Sequence, residues 1–450
     1  MEENNNKYGL ATAISMIVGI SVGSGIFFKV DDILTYTQGD MLKSILILVL
    51  GALCVIFGSI TLSQLARITT TSGGVIGYYE EFISPAWAGG FAWFQLFVYY
   101  PTIVSVVSWV AGSFTTTILQ LESNLELEII IGIFYLIFFY GVNYFSKRLG
   151  GYFQNIATFI KLIPLIGIGI IALFWNEPLP EIPVSQIVGI TDGGKYGWLA
   201  ALAPMAFSYD GWIVTTSISQ EVKNPNRTMP IALAVGPIIV LIVYLFYLFG
   251  MVSIAGTDFI LFAGDDSIYY IGNRLFGPMG ATVTTLFILI AILGVVNGVT
   301  LGHIRIPKIM GEKNMLLRSR AFLEVNPKTL LSKNASIFAL VISLFWMLVH
   351  YLTLKFQLLG QSDVSEIAIA FSYLVYMALY LKVLQLYRKG RLENFWLAGI
   401  FPVLASFGSL IIVFGSLLTN FQYVPLFMLF NAAVILLGFY VFKYNRRNNV

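Results

Sequence analysis

Apolar residues run in long blocks along this chain, and polar residues collect in short segments between them. From Leu10 to Phe442 the blocks recur at about 20 residues each, enough for a helix to cross about 30 Å of hydrocarbon. The pattern predicts twelve spans, at roughly 8–36, 42–66, 86–119, 127–145, 152–174, 196–220, 230–254, 278–304, 335–352, 364–384, 395–418 and 424–442. The longest connectors, Ala255 to Gly277 and Arg305 to Asn334, are too short to fold separately. The expectation is one all-α, polytopic membrane domain over residues 1–450, with its function inside the bundle.

Composition sharpens this picture. The chain is 58% apolar and only 11% charged, where a soluble domain carries about 25% charge. A lone Cys54 inside an apolar block excludes a disulfide scaffold. The net charge of +3 resides in connectors, so no nucleic-acid partner is expected. Met1 to Lys7 is acidic and Asn-rich, without the basic start or cleavage site of a signal peptide. With the N-terminus inside, 20 of the 26 Lys and Arg residues fall on the cytoplasmic side. Five fall opposite: Lys29, Lys43, Lys195, Arg274 and Lys355. That bias predicts cytoplasmic termini in the cell membrane. The remaining base, Lys161, lies within the fifth span.

Two spans carry helix breakers at mid-membrane depth. Span 1 contains Gly19-Ile20-Ser21-Val22-Gly23-Ser24-Gly25-Ile26-Phe27, and span 6 contains Phe207-Ser208-Tyr209-Asp210-Gly211-Trp212 after Pro204. Glycine costs a helix about 1 kcal/mol relative to alanine. Unwound backbone at that depth persists only where it lines a cavity or is buried in protein. Small residues that merely pack helices are the plainer reading of one such glycine run. Two breaks five spans apart instead predict an inverted five-plus-five repeat, about 8–174 and 196–384, with two further helices at about 395–442. The free N–H groups of Ser24, Gly25 and Ile26 suit a carboxylate. The carbonyls of Gly19, Ile20 and Ser21, with those of Phe207 and Ser208, suit an ammonium. Together they describe an α-amino acid backbone.

These residues resemble the amino acid, polyamine and organocation superfamily, and within it the L-amino-acid transporter (LAT) family. Gly23-Ser24-Gly25-Ile26-Phe27 is similar to the family's G-[ST]-G-I-F element, and Phe207 to Trp212 to its F-x-Y-x-G-W. Glu221-Val222-Lys223-Asn224-Pro225-Asn226-Arg227-Thr228-Met229-Pro230 resembles its most specific signature. Ser72-Gly73-Gly74 and Asn297-Gly298 are supporting matches. The resemblance implies the leucine-transporter fold, alternating access, and exchange of neutral, small L-amino acids, with no cofactor and no metal. It implies Phe207 as a gate over the substrate, and a Tyr244 hydroxyl near the unwound part of helix 1; otherwise Tyr244 is one of 24 packing tyrosines. The loop Leu121 to Leu127 lacks the cysteine that binds a heavy subunit in eukaryotic members, so no such partner is expected.

Lys161, among Ile, Phe and Leu, costs at least about 2.5 kcal/mol at mid-helix and must find oxygens. The resemblance places its ammonium where sodium-coupled relatives hold an ion, on a helix 1 carbonyl, here Gly19. The alternative is a lysine snorkelling to the cytoplasmic edge. Asp210 has three readings: a partner for Lys161, the carrier of a coupled proton, or a cap on the second half of helix 6. An enzyme is not expected. Gly19-Ile20-Ser21-Val22-Gly23 matches G-x-S-x-G only formally, with no strand before it and no paired base. Sodium-independent exchange leads; a proton-coupled symporter and a non-transporting amino acid sensor on the same fold are the alternatives.

Overall fold

A computed structural model describes residues 9–23, 25–69, 71, 74–122, 124–175, 194–213, 222–326, 329, 331–360 and 362–447. Ten helices are long and apolar enough to cross a membrane, and they fall on ten of the twelve expected spans. Among the described residues, spans 1 and 6, the pair with breakers, contain no helix of that length. Span 1 is split into α1 (Leu10–Ser21) and α2 (Gly25–Thr37). The remaining helices of the first half are α3 (Met41–Ile68), α4 (Pro85–Ile118), α5 (Leu125–Phe145), α6 (Lys147–Ile160) and α7 (Leu162–Ala172). The α6–α7 joint falls at Lys161. Pro164 lies just beyond it, and its missing N–H removes one rung of the ladder there.

Span 6 enters through a 3₁₀ stretch, Gly194–Ala201, and continues as α8 (Leu202–Ser208). Then follow α9 (Pro225–Ala255), α10 (Thr257–Ala263), α11 (Ser267–Glu312), α12 (Lys333–Lys355), α13 (Val364–Arg388), α14 (Phe401–Thr419) and α15 (Val424–Arg447). The signature run before α9 has a local reason. Asn224 is left-handed at φ 47°, its carbonyl accepts the N–H groups of Arg227 and Thr228, and Pro225 takes the first helical position.

The structure corrects three expectations. The connector 255–277 is itself mostly helical, as α10 and the start of α11, with a kink at Gly277 (φ 73°). Helix α11 continues past Arg305 to Glu312, which shortens the second connector. Lys29 is no loop residue. It lies inside α2 and is only 4% exposed.

Candidate functional site

Both breaks arise from backbone that cannot continue as helix. Beyond Ser21, Val22 bonds back to Val18 and the Gly23 N–H donates to the Ser21 carbonyl at 2.8 Å; Ser24 lies outside the described residues. Beyond Ser208, the N–H of Asp210 reaches the Phe207 carbonyl at 3.0 Å, and Gly211 turns the chain at φ 95°. No residue with a Cβ adopts that φ without strain. The breaks meet at Gly25, where a Cβ would stand 2.8 Å from the Ser208 Cα and 2.9 Å from the Phe207 ring. Only glycine lets α2 start so close to the end of α8.

Two side chains tie this junction together. The Tyr244 hydroxyl on α9 lies 2.6 Å from the Ser208 carbonyl and 3.0 Å from the Ser21 carbonyl, so its single proton is shared between the two broken helices. The Lys161 Nζ, at the α6–α7 joint, donates to the Gly19 carbonyl at 2.5 Å. Lys161 is 4% exposed and does not snorkel to the membrane edge. No hydroxyl of α11 bonds it among the described residues.

In front of the junction is a cavity of about 310 Å³. Gly19, Ser21, Gly25, Phe207, Lys161 and Asp210 all line it. The α11 wall is built from Val295, Gly298, Val299 and Gly302, and the far end reaches Gln154 and an exposed Arg305. Other expected site residues stand elsewhere. Ile26 is buried in the core, Ser208 turns its hydroxyl back to the Pro204 carbonyl at 3.0 Å, and Tyr244 sits behind the wall. Ile20 belongs to the last turn of α1. The carbonyls expected to be free are largely occupied. Gly19 accepts from Lys161, Ser21 from Gly23 and Tyr244, Phe207 from Asp210, and Ser208 from Tyr244. The Ser21 hydroxyl is different, because it is buried, has no partner among the described residues and belongs to a residue on the wall.

Asp210 does not pair with Lys161. Its carboxylate lies 2.7 and 2.9 Å from the Tyr99 hydroxyl. Tyr99 ends a π-helical turn, Gln95–Tyr99, whose extra residue per turn re-aims the side chain at the cavity. No sequence pattern marks that turn. The residues that would form the second half of helix 6 lie outside the described set, so capping by Asp210 does too.

The end of the junction away from Arg305 is shut. Phe207 meets Phe28 edge to face, centroids 5.3 Å apart. The Lys29 ammonium sits 5.3 Å from the Phe28 ring and 5.7 Å from the Phe207 ring. It also pairs with Asp32 at 2.9 Å, Asp363 at 3.0 Å and Glu366 at 2.7 Å. Asp363 caps α13, accepting the N–H groups of Ser365 and Glu366, and Ser362 donates to Glu366. Sequence reasoning missed this cluster. The Lys29/Asp32 spacing was readable, but Asp363 is 334 residues from Lys29.

Comparison with known proteins agrees with this architecture. Residues 8–440 match the amino acid permease family. The chain is 27% identical over 425 residues to the serine/threonine exchanger SteT of Bacillus subtilis, covering 93% of each chain. It is 25% identical over 331 residues to the human b(0,+)-type amino acid transporter 1, covering 72% of this chain and 66% of that one. The human cystine/glutamate transporter is 24% identical over 303 residues, 65% of this chain and 58% of that one. These relatives are transporters, not enzymes. With twelve expected spans, breaks in the first and sixth, and a family match across nearly its whole length, the chain belongs to the amino acid permease family as a LAT-like, multi-pass membrane transporter.

Proposed function

We propose that the chain exchanges neutral, small L-amino acids across the cell membrane by alternating access, without sodium. Supporting the amino acid backbone as the recognised group are the start of α2 at Gly25, with amides suited to a carboxylate, and the free Ser21 hydroxyl beside it. The occupied carbonyls of Ser21, Phe207 and Ser208 each retain a second lone pair for an ammonium. Phe207 gates the site from the Lys29 end. Similarity over 93% of the chain to a serine/threonine exchanger supports small, hydroxylated substrates.

The observation that carries sodium independence is the Lys161 ammonium on the Gly19 carbonyl. A fixed ammonium holds that oxygen as a bound cation would, but it cannot dissociate and so cannot couple to an ion gradient. In this reading the termini are cytoplasmic, the Arg305 end of the cavity faces the cytoplasm, and the structure is inward-facing. Residues 8–174 and 196–384 form the inverted repeats, and no disulfide-linked heavy subunit is needed.

The test is counterflow in liposomes preloaded with one amino acid at a time, with choline replacing sodium. Uptake of labelled serine, threonine or alanine that needs internal amino acid and ignores sodium is expected. Amides and N-acetyl amino acids should fail to compete, and Phe207→Ala should weaken apparent affinity. Absence of counterflow for every amino acid would instead favour a sensor.

A further inference from the structure

Away from the transport cavity, a second cavity of about 590 Å³ lies between the last turn of α15 and the turn that follows α11. Lys313, Arg320 and Arg446 line it together with Glu312, Leu323 and Phe442. Lys313 is committed to Glu80, and Glu312 reaches Lys308 at 3.5 Å. Arg320 and Arg446 are exposed, and neither has an ion-pair partner among the described residues. Two guanidiniums therefore line one space with no ion-pair partner among the described residues, and guanidinium is the side-chain group best suited to a phosphate.

Basic residues at the end of a membrane helix are ordinary; Asn445 is not. It lines the same cavity and is 2% exposed. Its Nδ2 donates to the carbonyls of Asn314 and Leu316, both at 2.9 Å, which uses both amide protons. The Oδ1 is thereby fixed as the atom left over, and it is buried without a partner among the described residues. An unsatisfied buried acceptor costs about 1–3 kcal/mol. A fully deprotonated anion such as sulfate would satisfy the arginines but not this oxygen, which needs a donor.

The ligand that fits both is a phosphodiester carrying a hydroxyl. Leu323 and Phe442 supply an apolar wall beside the charges, and Tyr440 and Tyr444 of the same helix are exposed, as aromatic residues are at headgroup depth. The cavity also lies on the side to which the charge bias assigns the cytoplasm, where anionic lipid attracts basic clusters. We propose that this cavity is a headgroup site for a hydroxylated anionic phospholipid of the phosphatidylglycerol type. Its phosphate lies on Arg320 and Arg446, and its glycerol hydroxyl donates to the Asn445 Oδ1.

Native mass spectrometry of the full-length protein in detergent tests this with three lipids of matched chains. Phosphatidylglycerol should be retained at least fivefold more than phosphatidylcholine, and at least threefold more than phosphatidylmethanol, which has the charge but no hydroxyl. The Arg320→Gln/Arg446→Gln double variant should lower phosphatidylglycerol to the phosphatidylcholine level with an unchanged thermal unfolding midpoint, since both side chains are exposed. Millimolar glycerol phosphate should not displace the lipid. Equal retention of phosphatidylglycerol and phosphatidylcholine, or no effect of the double variant, overturns the site. Displacement by glycerol phosphate overturns the lipid in favour of a soluble phosphate ester. Equal retention of phosphatidylmethanol removes Asn445 from it.

Discussion

The two ends of the transport cavity are built on opposite principles. At the Lys29 end, closure is made of charge and aromatic rings: one ammonium with three carboxylates, laid over Phe28 and Phe207. At the Arg305 end there is little to unlock. Its wall is glycine and valine on α11, and a Cβ on Gly302 would stand 2.9 Å from the Tyr100 ring. A charge cluster holds one geometry and must be broken as a unit, because a single missing partner leaves bare charge in a dry interior. Smooth contacts between small residues let helices slide with little loss at any one step. Under the proposed exchange cycle, the Lys29 end is therefore expected to set the larger barrier, and the Arg305 end to open and close by packing.

That contrast can be broken most directly at Lys29. Lys29→Met leaves Asp32, Asp363 and Glu366 without their cation, and loss of one partner of a buried pair costs about 3–5 kcal/mol. Exchange should fall at least about a hundredfold on that basis. In a Cys54→Ser background, a cysteine at Val299 on the cavity wall should become open to an impermeant reagent from the Lys29 side. Unchanged labelling would mean the cluster is no seal. Next in size is Lys161→Ala. A hydrogen bond to a charged group is worth about 1.5–3 kcal/mol, so apparent substrate affinity should drop roughly tenfold to a hundredfold. Sodium should be without effect on the wild type, and a variant with normal kinetics would remove Lys161 from the cycle.

Tyr244→Phe removes one neutral hydroxyl bond, about 1 kcal/mol, and should cost roughly fivefold in exchange rate. Loss of a hundredfold or more would place Tyr244 among the groups that touch substrate. The smallest effect is expected at Asp210. Asp210→Asn keeps an oxygen for the Tyr99 hydroxyl, and exchange should stay within about threefold of wild type if that neutral bond is retained. A pH-sensitive dye inside the liposomes should show no proton uptake with substrate. Uptake in wild type that disappears in the variant would replace exchange by proton symport.

Much of the junction between the two broken helices was legible in the sequence, because its determinants are local. Three glycines within seven residues, or a lysine amid Ile and Leu, carry their physical cost wherever they stand. The breaks in spans 1 and 6 and the Lys161–Gly19 bond follow from such costs and from the family resemblance. The Lys29 end was not legible. Lys29 counts among the bases outside the bilayer, since nothing local reveals that α13 brings Asp363 and Glu366 to neutralise it. The connector over 255–277 was misread likewise, its polar Asp265 and Asp266 hiding two helical stretches. Tyr99 escaped because a π-helical turn leaves no trace in hydrophobic periodicity. The carbonyls at the breaks are less free than expected because the Gly23 and Asp210 N–H groups fold back on them, beside the Tyr244 and Lys161 side chains.

The joint at Lys161 makes helix 5 a pinned lever. Its pivot is tied to α1 by the ammonium, while Pro164 leaves the backbone there short of one bond and easier to bend. The arm α6 has 14 residues, about 21 Å at 1.5 Å per residue. A tilt of about 10° at the pivot would move the tip by nearly 4 Å and Gln154, midway along, by about 2 Å on the same rise per residue. Gln154 and Gly150 are tied to Asn297 on α11, so the lever draws against the cavity mouth. Under the proposed alternating access, a small angular change at one lysine would be converted into the width of an amino acid's passage, with no change in the length of any helix.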